Sequence, residues 1–372
     1  MKLAYLTTLG ALALSTTAAH SGGWETGKLD TSFLYEDGNY VELSYGNLNY
    51  SVNGTTQAGV THPMAKDQTR TSFSAKFQLG DFDIGLTSFG SGAIQMDGQN
   101  PATIQTSPSS PYAGTALVYS VVPSADVKLD TQAVMGRYSL NDNWSATVGL
   151  RQAKLKASTV LTLGPVEYAI DATSKTGMVY GLAYERPDIA LKLEVLRSQS
   201  ISMALTGGAT VDYGILGIPE ATTVNFQTGI AKDTLLMASA HKVTWSQSQI
   251  IVVGDNGAPN VGSAFSDTTS YSLGLGRKLS DATAVSLTYS WEDGSGAAAT
   301  SPFTMSNGSK TLSAGVKHKI DALTISAGVS YTKAGDVVVT HMTGDPAAAS
   351  GYKASYAGNS VTALGLKVGY NF

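Results

Sequence analysis

Five histidines, His20, His62, His241, His318 and His341, are the natural starting points for catalysis or metal binding, because the chain contains no cysteine. They show no metal-site spacing. None has a serine two residues on, the separation that puts both side chains on one strand face, where a histidine can activate a hydroxyl. Without cysteine there is no thiolate nucleophile, thiolate metal site or disulfide framework. His20 would become the N-terminus if the first 19 residues were removed, and a lone terminal histidine is a poor metal site. The expectation is a protein with no catalytic residue, no metal and no cofactor.

The elements that carry these residues must therefore serve another purpose, and composition narrows it. Charged residues are 14% of the chain, against about 25% in soluble domains. Tyrosine, at 18, outnumbers phenylalanine and tryptophan together, at 13, and glycine reaches 40 of 372 residues. Such a chain is poor in charge for a soluble surface and too apolar for disorder. A net charge of −4 gives no basic face, so nucleic acid is not an expected partner.

Met1-Lys2, an apolar stretch over 3–14 and small residues over 15–19 have the layout of a secretory signal, with cleavage expected after Ala19. Beyond it no window of 18 apolar residues occurs, which excludes helical membrane spans.

Alternation with period two runs through the rest. Phe372, Tyr370, Val368, Leu366 and Leu364 interleave with Asn371, Gly369, Lys367, Gly365 and Ala363. Leu323, Ile325, Ala327, Val329 and Tyr331 interleave with Thr324, Ser326, Gly328, Ser330 and Thr332, and similar runs recur near 144–151, 177–184, 285–292 and 311–318. These segments are about ten residues long, enough to cross a bilayer at a tilt. Their apolar faces end in Tyr or Trp, as an interfacial girdle does. Short turns marked by Asp81, Asp142, Asp188, Asp233, Asp281 and Asp321 alternate with longer stretches near 53–68, 92–128, 158–173, 203–221, 249–267, 294–308 and 335–358. Six turns and seven loops join fourteen strands.

The expected fold is all-β: a 14-stranded antiparallel transmembrane β-barrel in the bacterial outer membrane, spanning 39–372, with a short N-terminal plug (hatch) over 20–38. A soluble sandwich would need neither girdle aromatics nor loops sorted into two lengths. Eight strands leave no channel and sixteen leave an aqueous pore, so a fourteen-strand lumen is either water-filled or plugged. Trp24, Phe33 and Leu34 favour a plug over a disordered leader. The ending Tyr370-x-Phe372 resembles the signal by which barrel-assembly machinery recognises its clients.

Several stretches carry a family resemblance. They are Glu36-Asp37-Gly38-Asn39-Tyr40-Val41-Glu42-Leu43-Ser44, then Tyr184-Glu185-Arg186-Pro187-Asp188-Ile189-Ala190-Leu191, and Val224-Asn225-Phe226-Gln227-Thr228-Gly229-Ile230. Thr244-Trp245-Ser246, the strand at 271–278 and the ending at 363–372 continue the series. In this order and spacing the chain resembles the FadL-type family of outer-membrane transporters for long-chain fatty acids and aromatic hydrocarbons, in a short alphaproteobacterial form. The resemblance implies a monomeric fourteen-strand barrel with a hatch, passing hydrophobic molecules inward by diffusion. Two departures stand out. The 21–38 segment lacks the family's Asn-Pro-Ala motif, and the Asn100-Pro101-Ala102 triplet lies in a loop. The third strand ends Ser88-Phe89-Gly90 instead of Pro-Phe-Gly, leaving Gly90 and Gly92 to relax the ladder.

Ligand-binding candidates follow. Tyr112, Leu117, Val118, Tyr119, Val121 and Val122 form an apolar run in the longest loop, either a capture patch for hydrophobic molecules or a cap on the barrel mouth. Parity turns Phe89 inward, provided no register slip precedes it. Beside Gly90, it would meet a ligand entering the lumen or a side opening. Glu42, Lys76, Arg137, Arg151, Lys192, Glu194, Lys317 and Lys367 also point inward by parity. They either brace the barrel as ion pairs or, through their positive excess, attract a carboxylate. The alternative function is a general diffusion porin or a structural outer-membrane barrel without a specific ligand, surrounded by membrane lipid. The longest loop, with only Asp97 and Asp126 as acids, disfavours the porin.

Overall fold

The computed structural model describes residues 27–56, 61–96, 101–105, 116–120, 124–156, 158–161, 167–207, 211–253, 259–261, 263, 265–294, 303–341 and 352–372. The expected signal segment and Trp24 lie outside these residues.

Period-two patterning becomes one closed sheet. Its first seven strands are β1 (Tyr40–Ser51), β2 (Gln68–Leu79), β3 (Phe82–Met96), β4 (Ser124–Ser139), β5 (Trp144–Leu155), β6 (Thr173–Arg186) and β7 (Leu191–Ser198). The remaining seven are β8 (Ala221–Ala231), β9 (Thr234–Val243), β10 (Thr268–Lys278), β11 (Thr283–Glu292), β12 (Ser309–Ile320), β13 (Leu323–Ala334) and β14 (Ser360–Asn371). Each strand pairs antiparallel with the next, and β1 closes on β14 from Tyr40↔Asn371 to Ser51↔Ser360. The result is a closed 14-stranded antiparallel barrel, the kind of arrangement that pairs backbone groups between strands within a bilayer. No described helix is long and apolar enough to cross a membrane.

The alternation decides which side chain meets which medium. Leu364, Leu366, Val368 and Tyr370 are exposed on the outside of β14, while Ala363 is buried inside. On β13, Val329 and Tyr331 face out, and Thr324, Ser326, Ser330 and Thr332 are buried. The start of β1, the last residue Phe372 and all six short turns share one end of the barrel. There the amide of Phe372 donates to the carbonyl of Asn39 at 3.1 Å. Asp233 and Asp321 adopt left-handed conformations in their turns, with φ of 58° and 52°, a region that aspartate tolerates better than most residues.

The opposite, loop end differs from the expected plain loops. The stretch expected at 92–128 is strand up to Met96 and again from Ser124. Alternation there is carried by Ile94, Met96, Val127 and Leu129, all buried. Two four-stranded sheets also rise from the loops. One joins Ile201–Gly207, Val211–Ile218, Ile250–Val253 and Pro259–Val261, and the other joins Val337–His341, Tyr352–Tyr356, Asn53–Thr56 and Thr61–Pro63. They enclose an apolar core with Met203, Leu216, Trp245, Phe265, Val339 and Tyr356. These strands are three to eight residues long, too short for their alternation to stand out among glycine and serine.

Candidate functional site

The lumen is occupied from the turn end by residues 27–38. Ser32 donates its amide to Asp30 Oδ1 at 2.8 Å, starting a 3-10 turn over Ser32–Tyr35. That turn aims Phe33 and Leu34 at the wall, and both are completely buried. Their bed consists of Ala133 and Met135 on β4, Val179 on β6, Leu196 on β7 and Tyr40. Gly85 on β3 makes the fit possible. A Cβ there would overlap Leu34 Cδ2 and approach Phe33 Cε2 to 3.0 Å, so the glycine is a socket for the plug.

Polar contacts lock the turn in place. Glu194 accepts from Thr31 Oγ1 at 2.8 and 2.9 Å, from the Tyr35 hydroxyl at 2.9 Å and from Asn225 Nδ2 at 2.9 Å. Arg137 donates to the Leu34 carbonyl at 2.8 Å and pairs with Asp83 at 3.4 Å and Glu185 at 3.1 Å. Its guanidinium lies 4.3 Å from the centre of the Tyr35 ring, and Lys192 lies 3.9 Å from it. Lys76 bonds the Glu36 carbonyl and pairs with Asp83 at 3.4 Å. Lys367 bridges Glu42 at 3.1 Å and Asp30 at 3.8 Å. The expected inward charges thus include ion pairs that bind the N-terminal segment to the barrel.

Enclosure by the barrel perturbs the segment's own ionisable groups. Burial pushes Tyr35 well up, reinforced by Glu194, so it donates to that carboxylate as a neutral phenol. Burial lowers Lys28, against the pull of Asp30 and Glu194. For Asp30 burial acts upward, but the Lys367 charge and the Ser32 hydrogen bonds outweigh it and hold the carboxyl below its ordinary range. Its side chain is exposed to the lumenal cavity.

Above the plug lies a cavity of about 250 Å³. Leu29, Leu48, Phe89 and Met237 give it apolar surface, and Ser72, Ser239, Ser272 and Thr288 give it hydroxyls. On one side it meets a break in the wall. Pairing of β2 with β3 ends at Ser72↔Phe89, although β2 continues back to Gln68 beside β1, and β3 continues to Met96 beside β4. The β3–β4 register slips between Gly90 and Gly92, leaving Ser91 as the extra residue. The bulge bends β3 away from β2. Beyond the break a single bridge, Ala65↔Met96, rejoins the two sides. The window between holds about 340 Å³ and is framed by Thr69, Arg70 and Thr71 against Gly90, Gly92 and Ala93. Gly27 at the head of the plug donates its amide to the Ser91 carbonyl at 3.0 Å.

Phe33, Leu34, Phe89 and Gly90 are thus brought together around plug and window, and the register slip falls after Phe89. Trp24, Tyr112, Val121 and Val122 lie outside the described residues. Leu117, Val118 and Tyr119 belong to a strand, Ala116–Ser120, that among the described residues pairs with Pro101–Gln105 and not with the barrel sheet. Leu29, Thr31, Asp30 and Glu185 take part in the site without having been anticipated. A signal existed for some of this: Gly85 interrupts a strand whose neighbours, Asp83 and Thr87, point the same way. Among the described residues no group of three or more acidic or histidine side chains could hold a metal.

No protein-family model matches the sequence, and no curated protein matches it. Solved structures do match the fold. A Pseudomonas aeruginosa FadL homologue shares 12% identity with a TM-score of 0.70, covering 92% of this chain and 92% of its own. The Pseudomonas putida toluene transporter TodX gives 0.63 at 12% identity, covering 91% of each chain. The Ralstonia pickettii toluene transporter TbuX gives 0.58 at 11%, covering 91% of this chain and 90% of its own. At such identities the shared property is the fold: this chain has the architecture of FadL-type barrels.

Proposed function

We propose that this chain is a FadL-type outer-membrane transporter that passes small hydrophobic molecules, long-chain fatty acids or aromatic hydrocarbons, by passive diffusion. The apolar core among the loops and the cavity beneath it hold the molecule by burying its apolar surface, about 25 cal/mol per Å². The plug denies it a straight path to the turn end. It leaves sideways through the window between β2 and β3 into the membrane, where no water need be crossed.

The carrying observation is the break in pairing beyond Ser72↔Phe89, joined to the lumenal cavity through Phe89 and Gly90. A barrel wall loses backbone hydrogen bonds there, a cost with no structural return. The solved barrels of the same fold, two of them described as toluene transporters, support the substrate class. Membership of the family, the outer-membrane location, a monomeric state and assembly through Tyr370-x-Phe372 belong to the same proposal.

The test is a cysteine staple across the window. Thr71 and Gly90 would be the next partners if the ladder continued, and a Cβ at Gly90 meets nothing closer than 3.9 Å. In proteoliposomes, oxidised Thr71→Cys/Gly90→Cys should transfer fatty acid and toluene at the protein-free rate, and reduction should restore transfer. Undiminished transfer by the oxidised form excludes lateral exit. The hydroxyl-coated wall of β10 to β13 favours a second reading, a general diffusion pore. Large steady single-channel currents would support it.

A further inference from the structure

On the outside of the loop end, four neighbouring strands place one row of outward side chains side by side. The row runs Tyr271 on β10, Trp291 on β11, Lys310 on β12 and Lys333 on β13, each the direct cross-strand partner of the next. Both lysines are exposed. Like charges directly opposite each other on adjacent strands destabilise a sheet, so this pair costs the isolated barrel stability. Among the described residues nothing offsets it. No described carboxylate forms an ion pair with either ammonium. Glu292 is buried and faces the lumen, and Asp336 accepts the Gly358 amide at 2.9 Å; Asp293 is the remaining acid nearby. Elsewhere on this rim cations sit beside acids, as Lys128 does with Asp126 at 3.0 Å and Lys156 with Asp130 at 2.8 Å.

The surroundings indicate what belongs there. Trp291 stacks on Tyr271 at 5.4 Å and on Tyr289 at 5.8 Å. The next row toward the turn end is Leu273, Tyr289, Leu312 and Tyr331, all exposed, and the one after it is Leu275, Leu287, Ala314 and Val329. Two cations therefore stand at the level of an aromatic girdle, directly above an apolar surface sized for acyl chains. Aromatic rings at that level mark the membrane–water boundary. An amphiphile with a phosphate head and several acyl chains complements every part of this surface.

We propose that Lys310 and Lys333 form a binding site for the phosphate of an outer-leaflet glycolipid of the lipid A type, whose acyl chains lie along β11 to β13. The two ammonium groups converge on one phosphate, and their mutual repulsion becomes attraction to a shared counter-ion. The site rests on the outer-membrane location proposed above, but not on the transport route.

Native mass spectrometry of the detergent-solubilised full barrel tests it, with bisphosphorylated lipid A, its dephosphorylated form and phosphatidylglycerol as probes. Bisphosphorylated lipid A should bind about tenfold more tightly than either other lipid, and Lys310→Gln/Lys333→Gln should erase that margin. Lys154→Gln, on the far side of the barrel, should keep it. Equal binding of the phosphorylated and dephosphorylated forms, or an unaffected double variant, overturns the site; equal binding of phosphatidylglycerol overturns the glycolipid assignment. Should the double variant misfold, Lys333→Gln alone serves. It should raise the melting temperature without lipid and shrink the rise that lipid A produces, and the reverse pattern refutes the proposal. Hydrocarbon transfer lost with lipid A binding intact counts against the transport reading only.

Discussion

The amide of Gly27 donates to the carbonyl of Ser91 at 3.0 Å, joining the head of the lumenal plug to the one residue of β3 that the ladder leaves over. Plug and wall opening are thus a single mechanical unit at this point. Gly27→Pro removes the donor and sets the ring Cδ against the Ser91 carbonyl, so the head of the plug must move off the wall. Loss of the bond alone costs about 1 kcal/mol, so amide hydrogen exchange across 28–38 should quicken at least about fivefold. Unchanged exchange would mean that the bond carries no docking energy.

Gly85 is the socket of Leu34 and Phe33. Gly85→Ala places a methyl group where Leu34 Cδ2 sits, and overpacking of this kind costs about 1–3 kcal/mol. The plug should be pushed from its bed and single-channel current should rise. Adding Leu34→Ala makes room for the new methyl and should return the current toward the wild-type level. If the single variant stays silent, the plug is not what blocks conduction.

Acid should loosen the plug. Asp30 has a lower pKa when docked than when free, because Lys367 and the Ser32 hydrogen bonds favour its ionised form. A depressed carboxyl contributes docking strength above its free value, near pH 4, and loses it as pH falls through the docked value. Currents recorded from pH 7 down to pH 3 should therefore grow below about pH 4. Asp30→Asn should flatten that rise and weaken docking at pH 7. An acid response preserved in Asp30→Asn would assign it to another group.

Much of this architecture was legible in the chain, and the limits of legibility have physical causes. Strands such as β13 and β14 announce themselves because lipid on one side and a lumen on the other impose opposite demands on alternate residues. Inward Glu42, Glu194 and Lys367 could be placed by parity, since parity survives wherever the ladder is unbroken. Their partners could not. Thr31 meets Glu194 across 163 residues of sequence, and no local pattern encodes that contact. The loop-end core was missed because Ile201, Met203 and Leu205 alternate over only one short strand. The bulge at Ser91 was half visible: two glycines flank it, but a glycine pair does not say which residue is surplus.

Arg137 offers a test of the polar clamp. It serves the Leu34 carbonyl, Asp83 and Glu185 together. Arg137→Met keeps much of the bulk and removes the charge, leaving buried Asp83 with Lys76 as its remaining ion partner. Breaking a buried pair from one side costs about 3–5 kcal/mol, which should appear as a lower urea midpoint for barrel unfolding. Because the pair is enclosed, 0.5 M salt added to the wild type should not reproduce the loss. If it does, the clamp is open to solvent.

Deleting Ser91 probes the window from the backbone. Gly90 pairs with Asp130 and Gly92 with Leu129, so removing the residue between them leaves a continuous ladder. Facing is preserved as well. Ile94 and Met96 are buried opposite Val127 and Ala125, the orientation an unbroken alternation from Gly90 requires. The straightened β3 can then pair with Thr71 and Arg70, closing the opening while the bed of Phe33 and Leu34 is retained. The Gly27 bond to the Ser91 carbonyl is lost as well, so Gly27→Pro, which loses that bond but keeps the opening, is the control. Transfer of toluene from vesicle exterior to bilayer should fall at least tenfold, while binding to the purified barrel, read by tryptophan fluorescence, should persist. Lost binding would locate the deletion's effect in the pocket, whereas intact transfer would show that molecules leave by some path other than the gap in this wall.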